Sequence, residues 1–109
     1  MSEKAFENRI KAWLKDHGCF YVKFFANNYT VRGIPDILTC VNGYFVGIEV
    51  KDTGGRPTDI QIQKIKKIRE SGGFAWIVYP GGWDELKEYL TVLLNDGETH
   101  LFSESEVLK

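Results

Sequence analysis

The stretch Asp36-Ile-Leu-Thr-Cys-Val-Asn-Gly-Tyr-Phe-Val-Gly-Ile-Glu-Val-Lys51 sets two β-rich runs on either side of Asn42-Gly43. Asn-Gly between such runs favours a two-residue type I′ hairpin, because both turn positions need a positive φ. That turn fixes a register. Val41 faces Tyr44, and counting outward brings Asp36 opposite Glu49, with Cβ atoms about 5 Å apart on one face. Lys51 lies on the same face as a diagonal neighbour. The other face carries Ile37, Thr39, Val41, Tyr44, Val46, Ile48 and Val50, the side expected to meet the core. Two carboxylates and an ammonium therefore converge near the open end of a hairpin.

Like charges directly opposite one another weaken a sheet, so Asp36 and Glu49 need a reason to coexist. A divalent cation supplies one. Hard cations such as Mg²⁺ take carboxylate and carbonyl oxygens, and the Val50 carbonyl is a candidate third donor. Lys51, beside such an ion, is placed to orient or deprotonate an attacking water or to neutralise charge building on a phosphate. For an arbitrary hairpin, a solvated cluster of acids held by a lysine is the ordinary alternative.

Outward from the hairpin, the pattern alternates between helix and strand. Phe6, Ile10, Trp13 and Leu14 recur at helical spacing from Glu3 to His17, and Gly18 follows as a stop signal. Residues 19–26 are aromatic-rich and of strand length, and 27–33 read as a polar loop. Residues 52–57 (DTGGRP) read as a flexible loop. Thr58 is a helix N-cap with Gln61 at the capping-box position, and Ile62, Ile65 and Ile68 carry the periodicity to Gly72-Gly73. Residues 74–79 form a wholly apolar strand, 83–94 an amphipathic helix, and 99–103 a candidate edge strand. The order α, β, β, β, α, β, α with a candidate final β implies an α/β fold around a mixed sheet.

The chain has 109 residues, enough for a single domain spanning 1–109. Its net charge of −1 hides a split. Residues 1–69 hold twelve Lys and Arg against seven Asp and Glu, whereas residues 70–109 hold two against eight. Cys19 and Cys40, with no CxxC, exclude a disulfide scaffold or an intrachain zinc site and read as free buried thiols. His17 and His100 are isolated, which disfavours a His-metal nuclease. The charged first residues and the absence of a long apolar run give the expectation of a cytoplasmic protein, with no membrane and no small-molecule cofactor.

Arg32-Gly33-Ile34-Pro35-Asp36, then Glu49-Val50-Lys51, resembles the PD-(D/E)xK nuclease motif. With the Asn-Gly hairpin, Gly54-Gly55-Arg56-Pro57-Thr58 and Gln61, the run from Val31 to Gly73 resembles the VRR-NUC family of small stand-alone, often phage-encoded nucleases similar to Holliday junction resolvases. The resemblance implies a restriction-endonuclease-like sheet flanked by helices. It further implies a Mg²⁺- or Mn²⁺-dependent DNA endonuclease that acts on branched DNA, such as four-way junctions or flaps, as a homodimer in a phage-infected or bacterial cytoplasm. Carried onto this chain, it makes Asp36 and Glu49 metal ligands, Glu7 a further ligand directly or through water, and Lys51 the catalytic lysine. Gln61 would position the water or the scissile phosphate, with Gln63 competing from another side of its helix. On the residues alone, Glu7 reads as a solvated helix residue beside Lys4 and Lys11, and Gln61 as a plain capping partner.

The basic part of the chain offers phosphate contacts that would make binding salt-dependent. Arg32 and Arg56, beside the motif, are the leading candidates, with Lys11, Lys23 and Lys64 behind them. Asn27, Asn28 and Tyr29 form a loop for which a base-stacking role and a plain polar turn are both open. No recognition-helix motif or zinc finger is present, so sequence-specific readout is not indicated. A non-catalytic module that binds DNA junctions or ends is the alternative function, against which the acidic trio argues.

Overall fold

Asn42 (φ 50°) and Gly43 (φ 85°) take the two positive values that a type I′ turn requires. Around them β2 (Ile37–Val41) and β3 (Tyr44–Val50) pair antiparallel, with Val41 opposite Tyr44 and Ile37 opposite Ile48, the register expected from the turn. The structure is a computed structural model and describes residues 1–27, 29–95 and 105–109.

Further strands extend this hairpin on both sides. β1 (Phe20–Lys23) joins β2 antiparallel, while β4 (Phe74–Val78) joins β3 in parallel and β5 (Val107–Leu108) joins β4 in parallel. The result is a mixed five-stranded sheet in the order β1-β2-β3-β4-β5. The edge strand expected at 99–103, and His100 with it, falls outside the described residues, and the described fifth strand lies at Val107–Leu108. Its seat is cut into a turn: a Cβ on Gly82 would lie 2.3 Å from the Leu108 carbonyl carbon, so the backbone passes where no side chain fits.

Three helices flank the sheet. α1 (Glu3–Asp16), capped by the Ser2 hydroxyl, and α3 (Trp83–Leu94) supply Phe6, Ile10, Leu14, Leu86, Leu90 and Leu93 to one face, where Ile37, Val41, Val46, Ile48 and Val50 are fully buried. α2 (Asp59–Glu70) covers the other face with Ile62, Ile65 and Ile68 over Ala75 and Ile77. That second cover is partial. α2 packs on β3 and β4, and the β1–β2 half of its face leaves Phe20 and Val22 exposed, together with Phe45 at the rim. Cys40, expected to be buried, is exposed for this reason, while Cys19 is buried.

Candidate active site

Asp36 stands just past the end of β2. Pro35, which has no N–H to donate, closes the ladder, and Asp36 is held instead by its carbonyl accepting from the Phe24 N–H (2.8 Å) and its Oδ2 accepting from the Val50 N–H (2.9 Å). The side chain thus takes over where strand pairing stops. Gly33 (φ 79°) sets the approach to this corner, since a Cβ there would lie 2.4 Å from Ile60 Cγ2 at the start of α2.

Glu49 projects from β3 under the N-terminal end of α2 and is 3% exposed. Its Oε2 accepts from Gln61 Nε2 (3.2 Å) and lies 3.5 Å from Lys51 Nζ. Its Oε1 is buried with no hydrogen-bond partner among the described residues. Burial, then the charge of Asp36, push the Glu49 carboxyl up to about 8 against the opposing pull of Lys51.

Gln61 combines both of its expected roles. Its Oε1 accepts from the Thr58 N–H (2.9 Å) and the Gln61 N–H donates to Thr58 Oγ1 (3.2 Å), completing the capping box, while its amide nitrogen reaches Glu49. The cap therefore fixes which end of the amide faces the site. Gln63 is exposed on another side of α2.

Glu7 is no solvated helix residue. It is 4% exposed and meets Lys23 (2.6 Å), Lys11 (3.1 Å) and Lys4 (3.7 Å). Burial raises its carboxyl, but hydrogen bonds from Lys23 and Lys11 outweigh it and leave the group below its ordinary value. Lys23 also lies 3.2 Å from Asp36 Oδ1, so it stands between the two acids. Burial lowers the Lys23 ammonium, yet its bond to Glu7 and the charge of Asp36 raise it overall.

Lys11 and Lys23 were expected on phosphates. The structure commits both to Glu7, with their side chains 19% exposed, so little of their charge faces outward. Lys64 lines an apolar recess with Phe45 and Ile68. Arg32 and Arg56 are exposed. Arg32 borders a groove that reaches Gln61 and Thr58, and Arg56 borders a second beside Tyr79 and Lys109. Two features escaped the sequence reading. The bridging position of Lys23 needs the third dimension, since Lys23 and Glu7 are 16 residues apart. The loop at 52–57, expected to be flexible, is tied down by the Tyr79 hydroxyl donating to the Gly55 carbonyl, a contact that an apolar strand pattern does not announce.

The donor set is of the hard-oxygen kind. Among the described residues no three His, Cys, Asp or Glu side chains form a group able to hold a metal, because Lys23 separates Glu7 from Asp36. The pair Asp36 and Glu49 nevertheless fits a Mg²⁺-like ion, which keeps most of its waters and needs only one or two carboxylates. The unpartnered buried Oε1 of Glu49 is the atom that such an ion would satisfy.

A mixed sheet with Asp36, Glu49 and Lys51 at one corner is the layout of a PD-(D/E)xK nuclease. The family model described as archaeal Holliday junction resolvase (Hjc) matches residues 2–93, and the chain belongs to that family, a branch of the PD-(D/E)xK superfamily. No curated protein and no solved structure matches the chain.

Proposed function

We propose that the chain is a single-domain, metal-dependent DNA endonuclease that hydrolyses phosphodiester bonds in branched DNA such as four-way junctions or flaps. The observation that carries this reading is the buried, unpartnered Glu49 Oε1 beside Asp36 and Lys51. Asp36 and Glu49, with the Val50 carbonyl as a further donor, would hold Mg²⁺ or Mn²⁺. When bound, the ion lowers the pKa of a water and offsets charge on the phosphate. Lys51 places its ammonium next to the carboxylate pair, where it stabilises negative charge growing on the phosphate oxygens. Gln61, held by the cap, turns its amide to the same spot and orients the water or the phosphate. Glu7 fixes Lys23, and Lys23 fixes Asp36, which makes Glu7 a positioning residue rather than a ligand.

Membership of a resolvase family supports a four-way junction as substrate. The reading also retains kinship with VRR-NUC nucleases through the Val31–Gly73 run, and a cytoplasmic setting; among the described residues no helix is long and apolar enough to cross a membrane. A homodimer suits a symmetric substrate that needs two cuts. The exposed strip of Phe20, Val22 and Phe45 on the uncovered sheet face supports such a pairing.

The test is cleavage of a junction, a flap, a duplex and a single strand with Mg²⁺ and with excess chelator. Wild-type protein is expected to cut branched DNA only with the metal. Asp36→Ala, Glu49→Ala and Lys51→Ala are expected to stay folded and each lose cleavage by about 10²-fold or more. Full activity of any of them, or in chelator, overturns the mechanism, and binding of junctions without cleavage by the wild type assigns the chain to the non-catalytic class.

A further inference from the structure

The chain leaves β1 at Lys23 and returns to the site at Gly33, and this connecting loop carries two rings that the core does not use. Its root is fixed to the site itself, because the Phe24 N–H donates to the Asp36 carbonyl (2.8 Å). Just beyond, Phe25 is 73% exposed and Tyr29 98% exposed. The Phe25 ring centroid lies 5.8 Å from Lys23 Nζ, whose ammonium is 3.2 Å from Asp36 Oδ1, so Lys23 links this ring to the Asp36 carboxylate. The loop also forms one wall of an open groove of about 910 Å³, through Ala26, Asn27, Thr30 and Arg32. The opposite wall is the start of α2, ending at Gln61. Single exposed aromatic residues are common and need no explanation. Here there are two on one loop rooted on Asp36, each next in sequence to a residue that lines the groove leading to Gln61, Phe25 beside Ala26 and Tyr29 beside Thr30.

Resting on the nuclease reading above, we propose that Phe25 and Tyr29 are specificity residues that stack on unpaired or unstacked bases next to the scissile phosphate, and so select branched over continuous DNA. In a continuous duplex every base face is covered by its neighbours. At a crossover or a flap junction one stack ends and another begins, so unstacking at the branch point opens base faces to an aromatic ring. Such stacking tolerates any base, which fits a chain without a recognition helix. Arg32 in the same groove supplies the backbone contact that the rings lack. The Tyr29 N–H donates to Asn27 Oδ1 (2.7 Å), and the Asn27 N–H to Thr30 Oγ1 (2.9 Å), which ties Tyr29 and Thr30 to Asn27.

The experiment measures binding in Ca²⁺ of a junction and a matched duplex, each with 2-aminopurine at the base nearest the branch or its duplex equivalent. Wild-type protein is expected to prefer the junction and to quench its 2-aminopurine. Tyr29→Ala and Phe25→Ala are each expected to weaken junction binding by roughly 5- to 150-fold, the range of one lost stacking contact, while duplex affinity stays within about twofold. Tyr29→Trp should restore both affinity and quenching. Both side chains are exposed, so unchanged melting temperatures are expected to accompany the loss. Equal losses on junction and duplex, no loss from either variant, or a shift from dimer to monomer in sedimentation overturns the assignment, the last by making the loop a protein interface. Wild-type protein that cuts DNA with Mg²⁺ yet binds both DNAs equally in Ca²⁺ overturns the stacking role and leaves the nuclease reading standing. Protein that cuts nothing overturns the nuclease reading, and the Ca²⁺ binding data still judge the rings.

Discussion

Glu7 and Glu49 are almost equally shielded from solvent, 4% and 3% exposed, and the protein treats them in opposite ways. Glu7 has three lysines within 3.7 Å, two of them largely buried with it, and its carboxyl is held below the ordinary value. Glu49 has one lysine at 3.5 Å, an acid beside it, and an oxygen with no partner, and its carboxyl is pushed up to about 8. Burial penalises both charges, more heavily at Glu49, and the neighbours then decide the sign: lysines offset the penalty at Glu7, while Asp36 adds to it at Glu49. The Glu7 end of the site is a closed electrostatic unit. Among the described residues the Glu49 end pairs two acids with one nearby lysine, and a cation is what would complete it.

The largest expected effect breaks that contrast at the Glu49 end. In a Mn²⁺ titration followed by calorimetry, Glu49→Gln and Asp36→Asn are expected to lower affinity by about 100-fold or more, whereas Glu7→Gln, acting only through Lys23, should stay within about 10-fold. The wild type should also bind more tightly as pH rises toward 8 and level off above it, because Glu49 must lose its proton to accept the ion. If Glu7→Gln abolished binding while Glu49→Gln retained it, the roles assigned to the two acids would be reversed.

Stability in chelator should separate the two acids by sign. A carboxyl lowered in the fold contributes stability above its unfolded value, lost as pH falls, so Glu7→Gln removes a contribution that is present at neutral pH. Because the lysines around Glu7 retain some exposure, the expected cost is about 2 kcal/mol, on the order of 10 °C in Tm. A carboxyl raised from 4.5 to about 8 favours the fold below 4.5, and that contribution is lost as pH climbs through 8. Glu49→Gln should therefore leave Tm near the wild-type value at pH 5 and raise it at pH 8.5. Thermal melts of both variants at these two pH values, in excess EDTA, check the signs, and a fall for Glu49→Gln at pH 8.5 would contradict the incomplete-site view.

How much of this could be read in advance follows from the range of each interaction. The hairpin, its register and the α2 cap are local: Asn42-Gly43 and Thr58 with Gln61 lie within a few residues of what they control, and both form as expected. The ladder itself stops at Ile37 and Ile48, one step short of the expected pairing of Asp36 with Glu49, and the Asp36 side chain bonds the Val50 N–H instead. What could not be read depends on packing between distant segments. On the residues alone Glu7 reads as solvated, and that it turns inward to meet Lys23 requires α1 to dock beside the end of β1. The exposure of Cys40 depends on how far α2 spreads across its face, and no periodicity within β2 encodes that. The tether from Tyr79 to the glycine-rich loop is a single hydroxyl on an apolar strand.

The smallest expected effect tests whether Glu49 depends on the cap while Glu7 does not. Thr58→Ala removes the hydroxyl that accepts from the Gln61 N–H and loosens the start of α2, for a cost of about 1 kcal/mol, or roughly 5 °C. Gln61 then loses half of the box that aims its amide at Glu49, and kcat on a junction should fall by about 3- to 10-fold with little change in KM, as expected when positioning rather than binding is impaired. Thr58→Ser keeps the hydroxyl and should restore both. Combined with Glu7→Gln, the Thr58→Ala stability loss should add within about 0.5 kcal/mol, since the two share no partner. Combined with Glu49→Gln in chelator it should not add, because the Gln61 amide bridges the two. Additivity with both acids would mean that the cap supports α2 alone and that the Gln61 contact contributes nothing to the state of Glu49.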